Sequence, residues 1–429
     1  MNKLKILLTL FIINLFTVSI SAQPTLDSLI TKALEVSPML KMVMAKENSA
    51  KSSIRINSNL PDPMLSFGVM SLPVGSFSFS EEPMTTKVLG LSQEFPFPGK
   101  LSAVENASSK DVEIVKQEYA DQRNLIIKDL SRSYYELNYI RKEIELTEES
   151  RRLMKDILDV VRSMYSVSQA NQQNIFRIDL ELTKMAEMIS ALKSEQKEYL
   201  SIINSYLIQD PFTPIASNDF PEVQYINLSV NDLISTATMN RPVLKGILLA
   251  EEKEKMNQTI AEYDFYPIFR ISAQYGFRGT LQGATKPLHD MLTVMVDLSL
   301  PINYGGKVSA MVEETQSMQQ MYQEQYSASL QMLNREFGML TAKLNSLKER
   351  INLVENGSAI QAKENFNSAL TAYQVGNIDF MNVIEAQDNL YTISKSLFRL
   401  KTDYLNQVTE LEFLTGTSLK KNTNLNGDK

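Results

Sequence analysis

From Tyr326 the apolar positions fall at Leu330, Leu333, Phe337, Leu340, Leu344, Leu347, Ile351 and Val354, in alternating steps of four and three. This is a heptad seam, and it predicts a helix lying along a partner helix. A second seam runs through Val383, Ala386, Leu390, Ile393, Leu397, Leu400, Tyr404, Leu411 and Leu414, broken only at Gln407. A looser one occupies Val112, Val115, Tyr119, Ile126, Leu130, Tyr134 and Leu137. No proline interrupts the chain between Lys100 and Asp210 or after Asn303. Helices of roughly 60 residues are therefore allowed, on the order of 90 Å long, and the molecule they build is elongated.

Two other segments carry a different period. Phe269, Ile271, Ala273, Tyr275 and Phe277 alternate with Arg270, Ser272, Gln274, Gly276 and Arg278. Leu292, Val294, Val296, Leu298 and Leu300 alternate with Thr293, Met295, Asp297 and Ser299. Period two with one apolar and one polar face predicts strands. Leu65, Phe67 and Val69, then Leu89 and Leu91, repeat the pattern more weakly. Both a soluble sheet and a transmembrane barrel give this alternation. Strands in a bilayer must close on themselves, and single-chain barrels start at about eight strands. Four strands spanning a bilayer would have to share a barrel with other copies, and three copies would supply twelve. The segments Ser71–Thr85 and Gly279–Asp290 would then be outer loops, with Tyr275, Phe277, Phe95 and Phe97 as an aromatic belt or the filling of a barrel mouth.

The chain is internally duplicated. LITKALEVSPML (29–40) matches LISTATMNRPVL (233–244), LSQEFPFPGK (91–100) matches LSLPINYGGK (298–307), and Tyr165, Val167, Asn174 and Ile175 match Tyr373, Val375, Asn382 and Val383. The matches keep their order while the offset drifts, as loop insertions in a duplicated gene would leave it. Residues 23–208 form a first repeat of one helix, two strands and two long helices, and residues 229–416 form a second in the same order. Between them the proline-rich segment 209–228 reads as a connector, and 417–429 reads as a polar tail.

Residues 1–22 have a basic start, an apolar stretch and small residues before Gln23, the pattern of a cleavable secretory signal. The full chain carries a net charge of −7. Loss of the signal removes two lysines and no acid, which argues against a nucleic-acid partner. With no cysteine and a single histidine, His289, the usual zinc, papain-like and Ser-His-Asp centres lack their material. No convergent cluster of reactive side chains points to an enzyme, and no cofactor is indicated.

Signal, duplication, hairpins and strands together resemble the TolC-like outer-membrane efflux family, across the chain from about Thr25 to Gly416. The sharpest matches are the strand-to-helix corners FPFPGK (95–100), with Pro96, Pro98 and Gly99, and LPINYGGK (300–307), with Pro301, Gly305 and Gly306, together with the hairpin YQVGNIDFMNVIEAQ (373–387). The resemblance implies a mainly α protein in which long antiparallel coiled-coil helices form an α-barrel, and in which each protomer gives four strands to a shared 12-stranded transmembrane β-barrel. It implies a homotrimer set in outer-membrane lipid, a periplasmic helical tunnel, a periplasmic adaptor protein, and an inner-membrane pump of the resistance-nodulation-division type. The adaptor would dock at the hairpin tips, at Val167, Ser168, Val375, Gly376 and Asn377; Ser168 stands where the family has a glycine. The gate constriction, built from two aspartates in the family, would here be Asn382 and Glu385. A ring of carboxylates about an axis would make a closed gate respond to pH and divalent cations.

Cargo is less constrained. The 21 methionines include the groups Met39, Met42 and Met44, Met291 and Met295, and Met318 and Met321. Thioethers suit Cu(I) or Ag(I), and methionine also fills gaps in helical cores. The PFPGK corner resembles members that accompany heavy-metal pumps, so copper or silver is the leading cargo within a wider class of small toxic solutes that includes drugs. The residues also admit a periplasmic adaptor, and a coiled-coil spacer or surface adhesin with a soluble sheet.

Overall fold

The computed structural model describes residues 25–216 and 220–419. The expected signal segment and all of the tail beyond Leu419 lie outside them. The first repeat contains α1 (Leu26–Val36), α2 (Pro38–Ser58), β1 (Met64–Met70), β2 (Thr86–Phe95), α3 (Lys100–Ser166) and α4 (Gln172–Leu207). The second contains α5 (Val230–Asn240), α6 (Pro242–Tyr263), β3 (Phe269–Phe277), β4 (Met291–Leu298), α7 (Lys307–Leu353), α8 (Ala359–Gln374) and α9 (Phe380–Thr415).

Each repeat thus opens with two helices where periodicity suggested one. The break has a local cause. Pro38 and Pro242 each occupy the first turn of the second helix, where a missing N–H costs nothing, and each disfavours helical geometry in the residue before it. Ser37 (ψ 118°) and Arg241 (ψ 119°) are accordingly extended. A second departure lies in the long helices. Helix α3 is unbroken over 67 residues, roughly 100 Å, whereas its counterpart is divided into α7 and α8 by a π-helical turn, Val354–Ser358.

The helices form a single layer. Toward the sheet its order is α2, α3, α6, α7; toward the far end it is α4, α3, α9 and the α7–α8 rod. Helices α3 and α7 run through both levels while their partners change midway. There Gly416, left-handed at φ 75°, ends α9 against the α5–α6 junction, and a Cβ at this position would lie 2.8 Å from the Asn240 carbonyl oxygen. The heptad residues Leu333, Phe337, Leu340, Leu344, Leu347 and Ile351 are all buried, joined by Leu400, Tyr404, Leu411 and Leu414 of α9. A matching core holds Leu29, Leu40, Ile126, Leu130 and Leu137. The connector is built into these cores. Ile215 is buried and its carbonyl accepts from Arg141 Nη2 at 2.6 Å, and the Ile226 amide donates to the Tyr404 hydroxyl at 3.0 Å.

The four strands make one antiparallel sheet in the order β1-β2-β3-β4. The two repeats meet at the β2–β3 pairing, where Phe95 faces Phe269 and Lys87 faces Phe277. Strands β1 and β4 are left as free edges.

Candidate functional site

The pairing register sorts the sheet into two faces. Leu65, Phe67, Leu89, Leu91, Ile271, Ala273, Tyr275, Leu292, Val294 and Val296 share one; Ser66, Gly90, Ser92, Ser272, Gln274 and Thr293 share the other. The apolar face is the exposed one. Phe67 is 77% exposed, Leu292 70% and Val294 63%, while Ser272 opposite is 7% exposed. In a soluble sheet the apolar face would be covered by a helix or a second sheet; here nothing among the described residues covers it. The polar face is the crowded one, since a Cβ on Gly90 would lie 2.5 Å from Ser66 Oγ. Apolar outside and polar inside is the arrangement of a strand in a bilayer. Aromatic rings mark both ends of the band. Phe97 stacks on Tyr266 at 4.4 Å and lies near Tyr263 and Phe269 at the helix end, while Tyr275 and Phe277 pack edge to face at 4.8 Å toward the loops. Strand β3 has nine residues, within the roughly 9–11 that a tilted strand needs to cross a bilayer. No described helix is long and apolar enough to cross a membrane.

Two corners join the sheet to the rods. After Phe95 the chain passes Pro96, Phe97 and Pro98 to Gly99, whose φ of 97° turns it directly into α3. A side chain there would collide with the Tyr263 hydroxyl, 2.5 Å from the Cβ position. Lys100, the first helical residue, forms an ion pair with Asp264 across the repeats. At the second corner, after Pro301, Asn303, Gly305 and Gly306 are all left-handed, at φ 47°, 71° and 73°. The Asn303 side chain accepts from the Val308 amide at 2.9 Å and so caps α7.

At the opposite end the two hairpin tips lie side by side over one core that includes Met154, Ile157, Ile178, Phe366, Tyr373, Phe380 and Val383. Both tips end their helix in the same way. The Gln169 amide donates to the Met164 carbonyl at 2.8 Å and Asn377 to Ala372 at 2.9 Å, with Ser168 (φ 62°) and Gly376 (φ 76°) left-handed between. This is a Schellman ending, which favours glycine, and the serine adopts it at a conformational cost. Val167 and Val375 project from the tips, 63% and 66% exposed. Asn382 and Glu385 are exposed on one face of α9, where they line a shallow groove with Asn365, Ser368 and Asn389.

Between the tip core and the midway cores, α3 meets α9 through polar groups that periodicity did not disclose. Arg399 donates to both Glu136 carboxylate oxygens, at 2.8 and 3.2 Å, and Asn406 donates to the same carboxylate at 2.8 Å. Lys395 pairs with buried Glu143, Thr147 bonds the Tyr391 hydroxyl at 3.0 Å, and Gln387 reaches Ser150. Burial, then the bond to Glu143, pushes the Tyr139 phenol far above its ordinary range. Such a ladder fixes the height of α3 against α9, because slipping one turn would leave buried charges unpaired. Among the described residues no group of three or more His, Cys, Asp or Glu could hold a metal ion.

A four-stranded sheet with its apolar face exposed and both edges open, continued by a single layer of rods, is the build of a protomer of a membrane channel with a helical tunnel. Residues 29–172 and 233–417 match the model of the outer membrane efflux protein family, and the chain belongs to that family. It is 18% identical over 408 residues to Outer membrane protein TolC of Vibrio cholerae serotype O1, covering 91% of this chain and 90% of that one. Solved structures with the same fold include the Vibrio cholerae outer membrane protein VceC (TM-score 0.75, 19% identity, 92% and 96% of the two chains). They also include the outer-membrane channel OprN (TM-score 0.76, 15% identity, 92% and 90%) and CusC (TM-score 0.72, 17% identity, 92% and 93%). The chain is therefore an outer-membrane efflux channel component with a periplasmic tunnel, a passive conduit and not an enzyme.

Proposed function

We propose that this chain is one protomer of a homotrimeric exit duct that receives small toxic solutes from an inner-membrane pump and releases them outside the cell. The observation that carries the reading is a four-stranded sheet with its apolar face exposed and both edges open. Unpaired edge groups are intolerable in hydrocarbon, and four strands are too few to close. Three copies would place twelve strands about 4.8 Å apart at a tilt near 40°, a perimeter of ~75 Å and a backbone diameter on the order of 24 Å. The helical layers would continue the wall as a tunnel. Exposed apolar residues at its lateral edges, such as Phe176 and Leu180 on α4, would be covered by the neighbouring copies.

In this reading the paired tips, with Val167, Ser168, Val375, Gly376 and Asn377, are the docking point for a periplasmic adaptor that links the duct to a resistance-nodulation-division pump. Asn382 and Glu385 face the tunnel axis near those tips, and three Glu385 carboxylates constrict it. Soft metal ions are the favoured cargo over drugs. The test is electrical and biochemical. The protein should resist extraction by high salt, yield to detergent, and form discrete ion-conducting pores in planar bilayers. Salt extraction, or the absence of conductance, would refute it.

A further inference from the structure

The methionines of the sheet are distributed in a way that neither alternation nor packing explains. Strand β1 carries Met64 and Met70, and β4 carries Met291 and Met295. All four share the polar face with Ser66 and Thr293, and the apolar face has none. They fill no gap in the core of their own chain, being 66%, 52%, 43% and 40% exposed in that order. They also occupy only the two open edges, while β2 and β3 present Ser92, Gly90, Ser272 and Gln274 on the same face. A greasy side chain was avoidable at these positions, and the chain uses a thioether at each.

We infer that the inward methionines of β1 in one copy, Met64 and Met70, pair across the strands with Met291 and Met295 of β4 in the next, and that at least one such thioether pair at each seam between subunits holds a soft monovalent metal ion on the inner wall of the barrel. The inference rests on the trimeric reading above, because the site is incomplete within a single chain. The geometry follows from parity alone. Antiparallel pairing that keeps both inner faces on the same side sets an inward residue of β1 opposite an inward residue of β4. With Met64 opposite Asp297, Met70 falls opposite Met291. Sliding the strands one inward position one way sets Met64 opposite Met295. Sliding the other way sets Met70 opposite Thr293, diagonal to both β4 methionines. Every further slide that leaves the strands overlapping again makes a direct or diagonal methionine pair. Direct cross-strand neighbours have Cβ atoms about 5 Å apart, and diagonal ones are still within reach of long side chains.

Two or three thioether sulfurs select a soft cation such as Cu(I) or Ag(I) over Zn(II), Mg(II) or Ca(II). Below the methionines the wall changes character. Arg270 pairs with Glu94 at 2.9 Å and stands opposite Asp297 in the register, so a charged row lies at the tunnel end of the sheet and the thioethers lie between it and the exterior. A soft ion leaving the tunnel would meet these ligands last. Neutral thioethers hold it without trapping it, as a conduction site requires.

The experiment uses the purified, detergent-solubilised trimer and Ag(I) in a nitrate medium, which avoids both redox chemistry and silver chloride. Native mass spectrometry should find at least three Ag(I) per trimer, one or two at each seam, and the quadruple variant M64L/M70L/M291L/M295L should bind at least tenfold more weakly while remaining a trimeric pore. In planar bilayers Ag(I) should reduce the conductance of the wild type and leave that of the variant unchanged. Should the variant not assemble, the wild type alone suffices: Ag(I) should protect at least one methionine of each edge strand from peroxide oxidation to the sulfoxide and leave Met239 on α5, 70% exposed, unprotected. Trimeric pores that bind no Ag(I), or whose binding survives the four substitutions, or whose four methionines oxidise equally with and without Ag(I), would overturn the metal site and leave the duct standing. A wild-type protein that forms neither trimers nor pores would remove both.

Discussion

Placing an arginine on each face of one strand separates a bilayer sheet from an aqueous one. Val294 and Thr293 are neighbours near the middle of β4; Val294 pairs with Ala273 on the exposed apolar face, and Thr293 pairs with Gln274 on the polar face. If the apolar face meets lipid, Val294→Arg puts a charge near the bilayer midplane at a cost of about 2–4 kcal/mol per protomer, or roughly 6–12 kcal/mol for three copies. Thr293→Arg points into water inside the barrel and costs little. If the face meets water instead, a valine already 63% exposed should accept arginine within about 0.5 kcal/mol. Val294→Arg should then match the wild type. Each variant would be folded into lipid vesicles and titrated with urea, with trimer content followed by unheated electrophoresis. A midpoint lowered strongly for Val294→Arg and hardly for Thr293→Arg is expected. Equal midpoints for the two would refute the membrane assignment of the sheet.

Further substitutions probe the corners, tips and gate. Gly99→Ala forces a side chain into φ 97° and against the Tyr263 hydroxyl; it should cost more than the 1–2 kcal/mol of left-handed strain alone, seen as a lower thermal midpoint, with Tyr263→Phe giving partial relief. Ser168→Gly removes a left-handed serine at φ 62° and should stabilise the tip by about 1 kcal/mol, measured as slower amide hydrogen exchange from residues 160–175; Gly376→Ala at the equivalent turn should speed exchange by a similar factor. Glu385→Gln should weaken the block of single-channel current by divalent cations, and a block identical to that of the wild type would remove this residue from the constriction.

Much of the architecture is written in simple periods, and the exceptions have physical causes. The steps of four and three from Leu333 to Ile351 locate a buried seam because apolar residues on a rod have one purpose, and all six heptad residues in that span are buried. The strands were visible because alternation survives whichever face is wet. Alternation alone does not say which side is covered; only the coordinates put the apolar side outward. The α3–α9 ladder was illegible because Glu136, Glu143, Lys395 and Arg399 look like any solvated helix face until their partners, more than 200 residues away, are brought alongside. The break before Pro38 and Pro242 was hidden by the continuity of apolar spacing on either side of it. Serine is a weak signal for a left-handed residue, so the Schellman turn at Ser168 is legible only through its alignment with Gly376. The inward methionines were in plain view as a period-two pattern, yet their confinement to the two edge strands required the sheet order.

The most direct test of the central claim exploits the absence of native cysteine. Ser66→Cys on β1 and Thr293→Cys on β4 put one thiol at each open edge, both on the inner face and separated by two strands within a chain. A short bis-maleimide added to the protein in outer-membrane vesicles should convert the double variant into covalent dimers and then a closed trimer, with no larger species, while either single variant stays monomeric under denaturing conditions. Exclusively intramolecular products, or a ladder continuing past three, would contradict a sheet completed by two identical neighbours.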